Sequence, residues 1–243
     1  MSQTTQQVQL NQSAAQRLCD LLELTMAPIA LAFVESAPER IPTYSGTSPS
    51  ACSFWSEAQR GPFYASANEH DNCPLGAYVM GFPGAHSAPS ALESVVEAMC
   101  DCEYITEEEA AHIPTMMRGA AGIVYGPLGG FPLAVDLVLL WLRPKQAMLY
   151  QEAADRAQRK GGQVSRLLGR PGCSALPVAF QASEPVLSVG CMGMRTFTNV
   201  GDDVLLAVIP AARLAGILDA LQATGSANNA MEDYYKARQA MFR

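Results

Sequence analysis

Residues 134–142 read AVDLVLLWL, and a run this apolar must be shielded from water on both sides. A second such run, VLLAVI, lies within 203–209. An alternating strand needs one covered face. Both runs are expected as buried strands, with 134–142 central in a sheet. Further strands are expected at 28–35 (PIALAFVE), 62–66, 121–126 and 185–190. Apolar spacing predicts helices over 12–24, with Asn11 or Ser13 as its cap, and over 52–60, 73–81, 89–102, 144–158 and 172–181. Two more, 211–223 and 226–241, end the chain, and Gly161 and Gly162 end the helix at 144–158. Thr106 with Glu109 supplies a capping box for one further short helix. The segment 67–72 (ANEHDN) reads as a turn, 36–50 as a loop and about 1–11 as a polar tail.

Strands and helices alternate here without a regular βαβ repeat. The expected class is α+β: a single compact domain over 1–243, with a mixed β-sheet flanked by helices. Hydrophobic residues at 49% and charged residues at only 16% supply a large core and exclude extended disorder. A net charge of −7 lacks the basic footprint of nonspecific nucleic-acid binding. The charge is uneven. Residues 1–142 carry 4 basic and 15 acidic side chains, and residues 143–243 carry 12 and 8. Seven of the basic residues fall between Arg143 and Arg170, a solvated helix face or a docking patch for an acidic partner.

The seven cysteines narrow the chemistry. No run of 18 apolar residues and no leader-like N-terminal pattern is present, so the expectation is a cytoplasmic protein, outside the membrane, with reduced thiols. Thiols in that setting bind metal or do redox work more often than they pair. Cys52, Cys73, Cys173 and Cys191 each follow turn or cap residues and precede a helical or Gly-rich segment. A helix start lowers a thiol's pKa, and its free N–H groups can donate to sulfur. Four such thiolates suit a [4Fe-4S] cluster or a structural zinc, although no C-x-x-C pair is present. Separate structural or reactive thiols remain open. Cys19 and Cys100 fall in helical patterns, and Cys100-Asp101-Cys102 points its two thiols in different directions.

Other candidates surround these. His70, close to Cys73, is a possible ligand or proton donor, or simply a loop residue. The segment Gly190-Cys191-Met192-Gly193-Met194-Arg195 allows close backbone approach to a cofactor through Gly190 and Gly193. Its Arg195 could pair with an anionic cofactor or substrate, or brace a turn. Met26, Met80, Met192 and Met194 offer thioethers to Cu(I) or haem, or fill the core. No P-loop, G-x-G-x-x-G turn, HExxH motif or Ser/His/Asp order occurs.

The motifs RGPFY, CPLGAYVMGF, VDLVLLWLRPKQAMLYQEA, GRPGCSALP, SVGCMGMRTFT, DDVLLAVIP and ANNAMEDYYKARQ, with Cys52 upstream, span about 28–240. In that order they resemble the family catalogued as domain of unknown function 169. The resemblance implies a bacterial or archaeal cytosolic protein. It also implies cysteines at the positions of Cys52, Cys73, Cys173 and Cys191, with Cys19, Cys100 and Cys102 outside the pattern. It implies no substrate. The expected function is an iron–sulfur redox protein, passing electrons to a partner protein or reducing a small molecule, with Arg195 and His70 beside the cluster. The alternatives are a module that holds or senses haem or a soft metal without turnover, and a thiol enzyme in which Cys73 or Cys191 is the nucleophile and His70 the base. A homo-oligomer is compatible with each.

Overall fold

The structure, a computed structural model, describes residues 3–82, 90–157 and 166–242. His86, the glycines expected to end the 144–158 helix, and part of the basic segment lie outside them. Seven strands form one mixed sheet. They are β1 (Ile29–Val34), β2 (Phe63–Ser66), β3 (Gly122–Pro127), β4 (Leu137–Leu142), β5 (Arg166–Leu168), β6 (Val186–Ser188) and β7 (Leu205–Pro210). Their order is β2-β3-β1-β4-β7-β6-β5, antiparallel throughout except for β5 on β6. The apolar run at 134–142 becomes β4, paired with β1 on one side and β7 on the other, and all six of its residues are buried.

Alternation along these strands divides the core in two. Ile29, Leu31, Phe33, Leu137, Leu139, Trp141, Leu206 and Val208 point to one face. Ala30, Ala32, Val138, Leu140, Leu142, Ala207 and Ile209 point to the other. The second face is covered by three long helices, α1 (Gln3–Leu22), α7 (Pro144–Ala157) and α10 (Ala211–Ala240). The first is covered by short pieces: α2 (Ser53–Glu57), α4 (Pro74–Val79), α8 (Ala175–Ala182) and α9 (Met192–Phe197). The remaining helices are α3 (Ala67–His70), α5 (Ser90–Asp101) and α6 (Glu107–Ala111), and a 3₁₀ turn at Gly172–Ser174 leads into α8.

Several boundaries differ from the sequence expectation, each for a visible reason. The polar stretch read as a tail is helical from Gln3, because Asn11 is not a cap but a buried anchor whose amide donates to the Phe131 and Leu133 carbonyls. The turn at 67–72 contains α3, opened by a capping box in which the Ser66 hydroxyl and the Glu69 carboxylate satisfy each other's backbone N–H groups. The two C-terminal helices are one, α10. Gly225 costs a helix only about 1 kcal/mol, and side chains at Ser226 and Asn228 bond back to the Gln222 and Thr224 carbonyls. The three-residue β5 is additional. Among the described residues no helix is long and apolar enough to cross a membrane.

Candidate functional site: four cysteines at four helix starts

The four singled-out cysteines lie on the face of short helices. Cys52 precedes α2, Cys73 precedes α4, Cys191 precedes α9, and Cys173 sits in the 3₁₀ turn before α8. Each start is fixed locally. Pro74 supplies a preset first turn after Cys73. The Cys191 sulfur itself caps α9, accepting from the Met194 N–H at 3.4 Å. Ser50 and Cys52 share a hydrogen bond, Oγ to Sγ, of 2.6 Å.

Missing side chains draw these starts together. A Cβ at Gly76 would stand 2.5 Å from that of Ala51 and 2.8 Å from the Cys73 sulfur, so only glycine lets the Cys52 and Cys73 segments meet. A Cβ at Gly172 would come within 3.3 Å of Gly190 Cα and 3.4 Å of the Cys191 nitrogen. Gly190 has φ +76°, and Met194 fills the space a side chain there would need. The Ser53 hydroxyl donates to the Phe197 carbonyl at 3.1 Å, tying α2 to α9.

The electrostatics show the result. Burial pushes the Cys52 thiol up to about 12, its bond to Ser50 opposes this, and the charges of Cys191 and Cys73 push it up further. Burial likewise holds the Cys173 thiol well above its ordinary value, and Cys73, Cys191 and Cys52 add to the effect. Cys173 therefore feels the other three members of the set and Cys52 feels two of them, and four thiolates without a cation would repel one another. Among the described residues, no three His, Cys, Asp or Glu side chains are grouped as a metal ion would need. The other three cysteines lie apart from the set. Cys19 is on α1, across the sheet, Cys100 lines a groove beside α5, and Cys102 is exposed.

His70 is placed differently from its expected role. It is 1% exposed and packs against Phe54, Phe82 and Tyr125. Its Nδ1 lies 2.6 Å from the Ser66 carbonyl, which can only accept, so Nδ1 carries the proton. Nε2, 2.9 Å from the Tyr125 hydroxyl, is then the acceptor. Burial lowers the His70 pKa to about 4, against smaller opposing contributions from Ser66 and Glu69. Both ring nitrogens are engaged away from the sulfurs. Burial, with Cys173 second, raises the Tyr125 hydroxyl well above its ordinary value, so the partner of His70 also feels the charge of Cys173.

Arg195 is also engaged. Its guanidinium donates to the carbonyls of Val189, Gly201 and Val204 at 2.8–3.3 Å, closing the loop around α9. Met80 and Met194 are buried in the core, and Met192 is exposed. Two buried polar atoms, Trp55 Nε1 and Ser174 Oγ, have no hydrogen-bond partner among the described residues. Trp55 lies three residues after Cys52 and Ser174 directly after Cys173. Neither was singled out in the sequence, although Ser50, Ser53 and Ser174 flank their cysteines in the pattern S-x-C-S and C-S.

An acidic hairpin borders the set. Residues 90–113 hold seven carboxylates and no Lys or Arg, which equals the whole net charge and leaves 16 acids against 16 bases elsewhere. The hairpin is latched to the cysteine region. The Met192 N–H donates to the Tyr104 hydroxyl, and Arg170 pairs with Glu109 at 3.4 Å and stacks over the Tyr104 ring. An apolar groove of about 660 Å³ between α4, α5 and α6 is lined by Leu75, Tyr78, Val96 and Ile113 and rimmed by Glu93, Glu97, Asp101 and Glu107. The basic segment is less free than its charge suggests: Arg143, Lys145 and Arg170 pair with Asp203, Glu232 and Glu109.

Fold and site together define an α+β protein whose central sheet carries a four-cysteine set on one face. The chain belongs to the DUF169 family, whose model, described as "Uncharacterised ArCR", matches residues 17–220 and so takes in all four cysteines. No curated protein and no solved structure matches the chain.

Proposed function

We propose that Cys52, Cys73, Cys173 and Cys191 hold a [4Fe-4S] cluster in a redox protein. The observation that carries this reading is that four cysteines open four separate short helices on one face of the sheet, with their segments in contact through Gly76, Gly172 and the Ser53–Phe197 bond. Four soft thiolates are the donor set of such a cluster, and a cationic core would relieve their repulsion. A zinc site needs sulfurs only about 3.8 Å apart, from a Zn–S bond near 2.3 Å, and no single-ion grouping occurs among the described residues. His70, Met80 and Met194 add nothing to a haem or Cu(I) site, since His70 is engaged by Ser66 and Tyr125 and both methionines are core residues. A thiol enzyme gets no support from His70, whose acceptor nitrogen faces Tyr125.

When bound, the cluster would supply one-electron transfer at a potential set by hydrogen bonds to sulfur and by exposure. The chain's own contribution is to set those terms. Ser50 and the Met194 N–H contact two of the sulfurs, the unpartnered Ser174 hydroxyl sits beside a third cysteine, and the aromatic cage of Phe54, Phe63 and Tyr125 keeps water from the sheet side. The acidic hairpin latched beside Cys191 presents a docking face to a basic redox partner or a cationic small substrate in the cytoplasm.

Anaerobic reconstitution with iron and sulfide tests the reading. Broad absorption at roughly 400 nm, with about four iron and four sulfide per chain, is expected. Single Cys→Ser changes at 52, 73, 173 and 191 should each lower or abolish it. The triple change Cys19→Ser, Cys100→Ser, Cys102→Ser should leave it intact. A colourless protein, or a chromophore lost only in the triple variant, would overturn the proposal.

A further inference from the structure

Helix α5 does not bury its apolar face. Leu92, Val95, Val96 and Met99 recur at helical spacing, yet none of residues 91–101 is buried. A surface helix normally covers such a stripe. Leu92 and Val96 instead open onto the apolar groove between α4, α5 and α6, with Leu75 and Tyr78 of α4 and with Ile113. A row of carboxylates runs beside them. Glu93, Glu97 and Asp101 recur at every fourth residue along α5, about 6 Å apart in rise, and Glu107 joins them from α6. All four are exposed, and none has a hydrogen bond or ion pair with a described residue. Glu109 of the same hairpin, which does not line the groove, is by contrast held by Thr106 and Arg170.

We propose that this groove seats a basic amphipathic helix of the protein's redox partner. Four unpaired carboxylates around an apolar floor call for several cations on an apolar body. A helix laid along α5 has the same rise of about 6 Å per four residues. Its basic side chains therefore meet the row, while its apolar side chains at i, i+3, i+4 and i+7 fill the floor. An extended segment fits less well. The groove is walled by helices, so the segment's backbone N–H and C=O groups would enter it with no strand edge to pair them. A small cation matches one or two carboxylates and leaves the rest of a row about 12 Å long. The identity of the partner rests on the redox reading. Helix α4, which supplies Leu75 and Tyr78, begins at Cys73, so a helix docked here lies against the element that carries one cluster ligand. The groove itself contains none of the four cysteines.

The test is fluorescence anisotropy of a labelled model helix, about 18 residues of leucine and lysine with every leucine on one face, titrated with the full metal-free chain. At about 0.15 M salt, binding is expected at about 1–10 µM. A peptide of the same composition with its leucines dispersed should bind at least about tenfold more weakly. Glu93→Lys with Glu97→Lys, at exposed positions, should weaken the model helix by at least about tenfold without altering the far-ultraviolet circular dichroism. Asp219→Lys with Asp233→Lys makes the same change in charge at exposed positions of α10, on the other face of the sheet, and should change binding by less than about twofold. No binding up to about 100 µM would overturn the inference, as would equal binding of the two peptides or equal effects of the two variants. Spermine competing as strongly as the model helix would also overturn it, since a polyamine brings charge without an apolar face. The cluster is read separately, by its absorption after reconstitution. A brown protein that ignores the model helix overturns the docking and keeps the cluster, and a colourless protein that binds it does the reverse.

Discussion

The two faces of the central sheet are built from the same strands and covered in opposite ways. On one, α1, α7 and α10 lay long helices over Ala30, Ala32 and Ala207, small residues that let the helices approach closely. Few polar side chains are buried there. On the other, four short helices begin over the larger residues Phe33, Leu139 and Trp141, each with a cysteine at or near its start. Long helices bury most of their own backbone groups and leave few ends. Short helices are mostly ends, and every end offers free N–H groups. A face made of helix starts therefore costs packing regularity and gains a place where sulfur can be held by backbone. The difference assigns stability to one face and leaves the other as the place of the proposed centre.

The sharpest way to break that division is on β4, where neighbouring side chains point to opposite faces. Leu140→Ala removes a fully buried residue from the long-helix face and should cost about 2–5 kcal/mol in urea unfolding. The fraction that stays folded should keep the unaltered cluster spectrum on reconstitution. A shifted spectrum would mean that the faces are coupled through the strand and that the assignment is wrong.

Acid should act on the cysteine face through His70. Its folded pKa, about 4, lies below the ordinary value of 6.5, so the unfolded chain binds the proton first. The stability this group contributes is complete above pH 6.5 and is lost as the pH falls towards 4. His70→Gln, whose amide oxygen can still accept from Tyr125, removes the titration. The metal-free variant should lose less stability than the parent between pH 7 and pH 4.5, by a few kcal/mol at most, in urea midpoints. Equal losses would show that His70 is not the group responsible.

Much of this architecture was legible in the sequence because it is local. The unbroken apolar runs at β4 and β7 announced buried strands. The turn-plus-cysteine contexts separated Cys52, Cys73, Cys173 and Cys191 from the other three. The Thr106 capping box formed as read. What escaped depends on distant partners. His70 finds Tyr125 at a separation of 55 residues, and no spacing rule anticipates that. Arg195 stayed open between an anionic partner and a braced turn because its three acceptors are backbone carbonyls, which carry no sequence signature. β5 has three residues and owes its existence to β6. The close approach of the Cys52 to the Cys73 segment and of the Cys173 to the Cys191 segment depends on Gly76 and Gly172, whose value is a Cβ they lack.

The smallest effect isolates the long-helix face. Tyr150 on α7 is 1% exposed, and its hydroxyl donates to the Val208 carbonyl of β7 at 3.3 Å. Burial raises its pKa, so the stability its neutral form contributes is complete below the ordinary value near 10 and is lost as the pH rises above it. Tyr150→Phe keeps the ring and removes the hydroxyl. At neutral pH it should cost only about 1 kcal/mol, because one long neutral hydrogen bond is lost and the second lone pair of a carbonyl tolerates it. Above pH 10 the gap should narrow, by up to about 0.8 kcal/mol at pH 10.5, since phenylalanine has no proton to lose and the parent does. Urea midpoints for both proteins at pH 7 and pH 10.5 measure this. A variant that gains no relative stability in alkali would remove Tyr150 from the account, and with it the idea that one face of the sheet yields to acid and the other to base.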